Sequence, residues 1–385
     1  MLELLALLLP IAAASGWYAA RQHFTKKYLL NQAQPLRRAY CRGLNYLLNE
    51  KTDKAIDVFA DILERDCETI ETHIALGNLF RRRGDVDKAI DVHEKLVQDR
   101  DLTEELRNQA YFELGLDYMR AGLFDRAETV FSTLVYIDSH RQPSLKQLLE
   151  IYQHEKDWDK AIECTRLLTV LCCRPPRGES VAHFLCEIAE EAVLAGQRSR
   201  AKDCLKQALR EDPSCARASL LRAKLEISEK DFHEALNTLK KVELQQSAYL
   251  SEILEPLQIC YESLGNKQEL MAYLQDLYGR YALVAATVRV TQQIHERNGL
   301  ADAIEYMLKI LEEKPNLTGL NHVIGLLAHA AEAADLRLAL DRTYQITGCL
   351  LSWKPQYVCT QCGFSGLDLH WRCPSCRYWG SIKPV

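Results

Sequence analysis

The stretch Leu76-Gly-Asn-Leu-Phe-Arg-Arg-Arg-Gly-Asp-Val-Asp-Lys-Ala-Ile-Asp-Val-His93 decides the fold. A small residue, Gly77, is followed three positions later by an aromatic, Phe80, and twelve positions later by a second small residue, Ala89. Between them Arg83-Gly84-Asp85 supplies the left-handed and capping residues that a tight helix-to-helix reversal needs. The pattern describes two antiparallel helices that approach closely where the small residues face each other.

The same spacing recurs along the chain. It appears as Gly43, Tyr46 and Ala55; as Gly115, Tyr118 and Ala127; and as Leu149, Tyr152 and Ala161. Ala189, Ala192 and Ala201 come next, then Ala223, Glu226 and Ala235. Steps between sets are 34, 38, 34, 40 and 34 residues, and weaker units run from Gln258 to Leu270, Thr291 to Ala303 and Leu327 to Ala339. This period with these residue types resembles the tetratricopeptide repeat. One such unit cannot bury its own apolar face, whereas stacked units can, forming a superhelix with an extended concave surface. Phe59 and Phe131 are expected to fill space toward the next repeat. Pro213 and Pro315 fall where a second helix should stop. The longer steps predict insertions near residues 99–104 and at Pro175-Pro176-Arg177-Gly178, the latter after the vicinal pair Cys172 and Cys173, read as a helix end beside a loop.

Outward from the array, both termini differ in kind. Residues 2–20 form an apolar run with Glu3 as its only charge, nearly long enough to span a bilayer core of ~30 Å. Leu2, Leu4, Leu5, Leu7, Leu8, Leu9 and Ile11 supply the lipid-facing bulk, and Trp17 and Tyr18 sit where amphipathic rings favour the interface. Arg21, Lys26 and Lys27 lie directly after it. A cleavable signal peptide would carry its positive charges before the apolar run, so the pattern favours an uncleaved anchor with the rest of the chain in the cytoplasm. Pro10 is tolerated within such a span.

At the other end, Cys359-x-x-Cys362 and Cys373-x-x-Cys376 stand ten residues apart. Two close cysteine pairs offer four thiolates to one tetrahedral metal ion. Zinc is favoured for a structural tetrathiolate, and iron can use the same ligands. Fewer than 40 residues cannot build a sufficient core, so metal must supply much of the module's folding energy. The intervening segment Phe364–Arg372 is expected to form a short hairpin. Arg377 comes after the second pair, where a rubredoxin usually has glycine, which weakens an electron-transfer reading. Lys354, Arg372, Arg377 and Lys383 are interleaved with Tyr357, Trp371, Tyr378 and Trp379. That mixture can contact nucleic acid, but the preferred expectation is that the aromatics dock the module onto the last repeats.

Composition limits the alternatives. The 385 residues carry 48 basic and 53 acidic side chains, a net charge of −5, which disfavours a protein devoted to nucleic acid. Ten of the fourteen cysteines (Cys41, Cys67, Cys164, Cys172, Cys173, Cys186, Cys204, Cys215, Cys260 and Cys349) show no framework spacing, which suits a reducing compartment. No phosphate-binding glycine loop, His-Glu-x-x-His or Gly-x-Ser-x-Gly occurs, and His73, His93, His183 and His233 fall within helical patterns as packing or surface residues. An enzyme is not expected.

The sequence therefore predicts an all-α tetratricopeptide-like superhelix with an N-terminal transmembrane helix and a C-terminal rubredoxin-like or zinc-ribbon module. The boundaries are an anchor at 1–20, a juxtamembrane linker at 21–35, the repeat array at 36–347 and the metal module at 348–385. This order, with Met1-Leu-Glu-Leu-Leu-Ala-Leu-Leu-Leu-Pro10, Leu76–Arg81, Asp117–Ala127, Cys359-Thr-Gln-Cys-Gly-Phe364 and Trp371-Arg-Cys-Pro-Ser-Cys376, resembles the lipopolysaccharide assembly protein B (LapB) family of Gram-negative bacteria over essentially the full length. The resemblance implies a single-pass inner-membrane protein facing the cytoplasm. It implies an adaptor that promotes proteolysis of the deacetylase LpxC by the membrane protease FtsH, and thereby regulates lipopolysaccharide biosynthesis. It also implies a membrane partner, PbgA (LapC or YejM), that senses lipopolysaccharide, and the four cysteines above as metal ligands. Lipopolysaccharide itself is a candidate ligand and self-association a candidate state; nucleic acid is not expected. The competing expectations are a passive scaffold for lipopolysaccharide enzymes and a membrane-tethered zinc-ribbon RNA binder.

Overall fold

The computed structural model describes residues 17, 18, 20, 21, 39, 41–43, 45, 46, 51–65, 70–171 and 179–385. Most of the predicted anchor, including Leu2, Leu4, Leu5, Leu7, Leu8, Leu9 and Ile11, lies outside these residues, as do most of the linker and Cys67, Cys172, Cys173 and the Pro175–Gly178 loop. Trp17 and Tyr18 are helical and exposed. Among the described residues no helix is long and apolar enough to cross a membrane.

The chain divides into two compact units, one ending at Asp157 and one running from Trp158 to Val385. In the first unit the helices are α1 (Thr52–Arg65), α2 (Ile70–Arg83), α3 (Val86–Gln98), α4 (Glu104–Ala121), α5 (Phe124–Leu134) and α6 (Asp138–Glu155). In the second they are α7 (Trp158–Leu171), α8 (Glu179–Leu194), α9 (Arg198–Glu211), α10 (Ala216–Ser228), α11 (Phe232–Gln245), α12 (Leu250–Ser263), α13 (Lys267–Tyr281), α14 (Val284–Asn298), α15 (Leu300–Glu313), α16 (Leu317–Ala330) and α17 (Ala334–Ser352). A three-stranded antiparallel sheet comes last, with β1 (Tyr357–Cys359) between β2 (Ser365–Gly366) and β3 (Ile382–Pro384).

Period and turn chemistry agree. Gly84, Gly122, Gly196, Gly265 and Gly299 close their helix pairs with positive φ. Lys156 and Lys230 hold the corresponding places at φ 62° and 64°. Along Gly84, Gly122, Lys156, Gly196 and Lys230 these turns repeat with the steps of 38, 34, 40 and 34 read from the sequence. Helices α9 and α15 stop at Glu211 and Glu313, just before Pro213 and Pro315.

Small residues set how closely the paired helices approach. The alanines Ala55, Ala89, Ala127, Ala161, Ala201, Ala235 and Ala303 are all 0% exposed. A Cβ on Gly43 would lie 2.8 Å from the Phe59 ring, and one on Gly115 would lie 2.8 Å from Phe131. The large aromatics thus close the gap within their own repeat. Phe59 also reaches the next one, in a cluster with Leu76 and Leu79.

The last repeat departs from expectation. Ala339 is exposed, and α17 has no buried residue, with Leu336 54% and Ile346 63% exposed. A repeat buries its outer face only against a successor, and the chain leaves the helical pattern at Trp353.

Unit one contains a polar core that the repeat pattern does not announce. His93 is 0% exposed, and its Nδ1 pairs with Asp117 Oδ2 at 2.5 Å. Arg81 donates to the other Asp117 oxygen at 2.8 Å and to Glu113 Oε2 at 2.5 Å. The His93 ring fills the space beside Gly77, where a Cβ would run into Nε2. Because that ring is tethered to Asp117, it cannot swing away. Gly77→Ala should therefore destabilise this unit by about 1–3 kcal/mol, the usual range for overpacking, even though alanine is the better helix former. Urea denaturation monitored by helix signal measures it; an unchanged or raised midpoint would show that the close approach at Gly77 does not constrain the fold.

Candidate metal centre and its seat on the repeats

The four predicted ligands converge. Cys359, Cys362, Cys373 and Cys376 present sulfurs that all lie within 4.8 Å of one another. Cys359 Sγ is 3.6 Å from Cys376 Sγ, and Cys362 Sγ is 3.7 Å from Cys373 Sγ. A tetrahedron with metal–sulfur bonds of ~2.3 Å has edges of ~3.8 Å, so the donor set fits one tetrahedral ion.

Two similar knuckles place these sulfurs. In the first, the Gly363 amide donates to Cys359 O at 3.0 Å with φ 76°; in the second, the Arg377 amide donates to Cys373 O at 2.9 Å with φ 61°. Arg377 therefore adopts the left-handed turn without being glycine. The predicted hairpin inside Phe364–Arg372 is not what forms. β2 folds back onto β1 across the first knuckle, pairing Val358 with Ser365, and Arg372 bridges Trp379 across the second. Each cysteine pair is itself the turn of a hairpin, since the amides must curl inward around the sulfurs.

The electrostatics call for a cation. Burial works against ionisation of Cys359, but the Ser381 hydroxyl, the amides of Cys362 and Gln361, and Cys376 all stabilise its thiolate, holding it down at about 6. Cys376 moves the other way. The Tyr378 amide favours its thiolate, yet burial and the neighbouring Cys373, Cys362 and Cys359 sulfurs push it up to about 12. Four thiols this close cannot all lose their protons unless a positive ion offsets the repulsion.

The seat of this ribbon is elsewhere than the sequence suggests. The sequence points to the last repeats; the ribbon instead packs on residues from Trp158 to Glu252. Tyr249 Oη donates to Ile382 O at 2.8 Å, a contact 133 residues long in sequence, and Lys383 Nζ donates to Gln246 Oε1 at 2.6 Å. Tyr357 Oη donates to Glu252 Oε1 at 2.7 Å. The terminal helix α17 leaves its apolar side chains exposed, whereas the groove walled by α8, α10 and Tyr249 accepts two indoles. Trp379 lies 5.3 Å from His183 and 5.6 Å from Phe184, and Trp371 lies 5.0 Å from Tyr249 between ring centroids.

Arg217 holds this groove together. It is 2% exposed, and its guanidinium carbon lies 5.8 Å from the Trp371 ring and 5.9 Å from the Trp379 ring. Its Nη2 donates to Glu187 and Glu190 at 2.8 and 2.9 Å. Among the described residues its Nε and Nη1 have no hydrogen-bond acceptor, and the indole faces supply the compensating attraction. Neither the role of Arg217 nor the His93–Asp117 pair is visible in the sequence. Arginine in an amphipathic helix reads as surface; the available signal is two tryptophans in a ribbon too small to bury them itself.

Residues 357–384 match a family model described as a rubredoxin metal binding domain, and residues 72–106 and 186–249 match tetratricopeptide repeat models. Across its full length the chain is 38% identical to lipopolysaccharide assembly protein B of Escherichia coli (strain K12), spanning 98% of that protein. It is 34% identical to the protein of the same name from Haemophilus influenzae, again covering 100% of this chain and 98% of the relative.

His183 makes the seat sensitive to acid. Burial first, and then Arg217 and Lys383, push its imidazole down to about 3. Between that value and the ordinary histidine range near 6.5, the released form binds one more proton than the docked form. Docking is therefore fully supported above about 6.5 and weakens as pH falls, by roughly 2 kcal/mol at pH 5. Hydrogen exchange of the ribbon amides at pH 7.5 and 5 should show this loss, and His183→Phe should flatten the part of the slope that metal release does not explain. An identical slope in the variant would remove His183 from the docking equilibrium.

Proposed function

The chain belongs to the lipopolysaccharide assembly protein B family, and on that footing we propose that it regulates lipopolysaccharide assembly as a membrane-anchored adaptor for proteolysis. The observation that carries the reading is the match to the curated relatives, which covers the whole of this chain and 98% of each relative. The N-terminal run crosses the inner membrane, with Arg21, Lys26 and Lys27 on the cytoplasmic side. The repeats present binding faces to protein partners. The partners are the protease FtsH, its substrate LpxC and the lipopolysaccharide-sensing protein PbgA (LapC or YejM). Zinc occupies the tetrathiolate, in keeping with a structural site whose four positions are all filled by protein. No bond-breaking step falls to this chain itself.

Tethering is the physical basis. An anchor that shares the bilayer with the protease, and a repeat face that holds the substrate, turn a bimolecular encounter into one governed by effective concentration. For short flexible links that concentration is about millimolar, so a modest substrate affinity suffices.

Depleting the protein should lengthen the half-life of LpxC in cells. Chains lacking residues 1–20, or carrying Cys359→Ser, should fail to restore rapid turnover when expressed at native level. If the half-life is unchanged on depletion, the adaptor reading falls in favour of a passive scaffold. If the soluble form works normally, tethering is not how it acts.

A further inference from the structure

The ribbon and the repeats enclose a cavity of about 570 Å³, within the size range of small-molecule sites. Arg217, His183, Lys383, Asp212 and the indoles of Trp371 and Trp379 are on its wall. Three separate features there present donors in search of an acceptor. Arg217 is 2% exposed; Glu187 and Glu190 both engage its Nη2, and its Nε and Nη1 have no acceptor among the described residues. The two indole rings, at 5.8 and 5.9 Å, stand at the outer limit of the cation–π range and leave those N–H bonds unmade. His183 is 6% exposed, burial keeps its imidazole uncharged, and its Nδ1 is likewise without a partner among the described residues. Helix α10 starts on the same wall with Ala216 and Arg217. Its cap residue, Cys215, makes no side-chain cap bond, and its first turn carries no acidic residue.

We propose that this cavity is a binding site for a small organic phosphate monoester. Its phosphoryl oxygens accept from Arg217 Nε and Nη1, from His183 Nδ1 in the tautomer that carries the proton there, and from the open first turn of α10. Buried cationic donors left without an acceptor are costly, and an oxyanion removes that cost. An uncapped helix N-terminus adds partial positive charge at the same point. Phosphate suits this donor set better than carboxylate, because it offers three acceptor oxygens where a carboxylate offers two. The cavity exceeds phosphate alone, so the organic part of the ester lies against Trp371 and Trp379.

Charge on the wall is mixed, and that supplies the test. Lys383 adds a second cation. Asp212 is a carboxylate on the wall and opposes an anion there. Its Oδ1 accepts from the Ser214 amide at 2.9 Å and from the Ser214 hydroxyl at 2.6 Å, bonds that an asparagine oxygen can also accept. The site also has two owners. Arg217, His183 and α10 belong to the repeats, whereas Lys383 and the indoles belong to the ribbon. A ligand held from both sides binds the docked form in preference to the released one, so it stabilises the ribbon in its seat.

The test uses the full-length, metal-loaded protein in detergent, titrated calorimetrically with phenyl phosphate. Saturable binding at one site per chain is expected, with phenol, which lacks the anion, at least about tenfold weaker. Lys383→Gln should weaken binding by about tenfold. Asp212→Asn should tighten it by about three- to tenfold, a gain that misfolding cannot produce. Saturating ester should also slow hydrogen exchange of the ribbon amides. Competition then separates the sources of the phosphate. Stronger displacement by glycerol 3-phosphate supports the site with a free metabolite as its ligand, and stronger displacement by a short-chain phosphatidic acid supports it with a lipid headgroup. The proposal is overturned if phenyl phosphate shows no saturable binding, or if Asp212→Asn leaves the affinity unchanged or lowers it. It is equally overturned if saturating ester leaves exchange of the ribbon amides unaltered.

Discussion

The distance between the two helices of a repeat is set by residues with almost no side chain, and most of the structure depends on that distance. At Gly43 and Gly115 the neighbouring helix brings a phenylalanine ring to within 2.8 Å of where a Cβ would stand. At Gly77 it brings a histidine closer still. Close packing of this kind leaves no slack for an added methyl. It also fixes the register of each helix pair, and through the register it determines which side chains point away from the pair toward other elements. Asp117 reaches both His93 and Arg81 only because the backbones beside Gly77 lie so near each other. A buried carboxylate there is tolerable since both of its oxygens are engaged by cationic or hydrogen-bonding partners.

The same logic governs the ribbon, from the opposite direction. Its own core has three buried residues, Cys359, Cys373 and Ile382, and two of them are ligands. Such a module has almost no apolar surface of its own to bury on folding, so it depends on outside sources of stability. The tetrathiolate is one. The groove on the second unit is the other, where Trp371 and Trp379 close over Arg217. Burying that cation would be prohibitive if it stood alone. Two carboxylates and two indole faces together make it tolerable, and the indoles come from the ribbon. Arg217 is therefore stable in place only when the ribbon is docked.

How much can be read in the chain differs by element. Helix pairs and their turns are legible because they repeat: a positive-φ position recurs at the sequence period whether it holds glycine or, at Lys156 and Lys230, lysine. The metal ligands are legible because four sulfurs must meet one ion, which forces short local spacings. The ribbon's seat is not. Its contacts span 133 and 137 residues, and nothing local distinguishes Arg217 from the solvated arginines of other helices. Proximity in sequence points to the last repeats, but α17 ends the stack and leaves its apolar side chains exposed.

These two dependences join at one place. Without a metal nothing draws the four sulfurs together beside β1 and β3, and β3 is the strand through which Ile382 and Lys383 hold Tyr249 and Gln246. Loosening the knuckles therefore loosens the seat, and an unseated ribbon takes the indole faces away from Arg217. The guanidinium, left with Glu187 and Glu190 alone, is better solvated than buried, so α8 and α10 have reason to part. Metal and ribbon are in this sense two handles on a single groove, and the repeats on which the groove is built respond to either without contacting the metal.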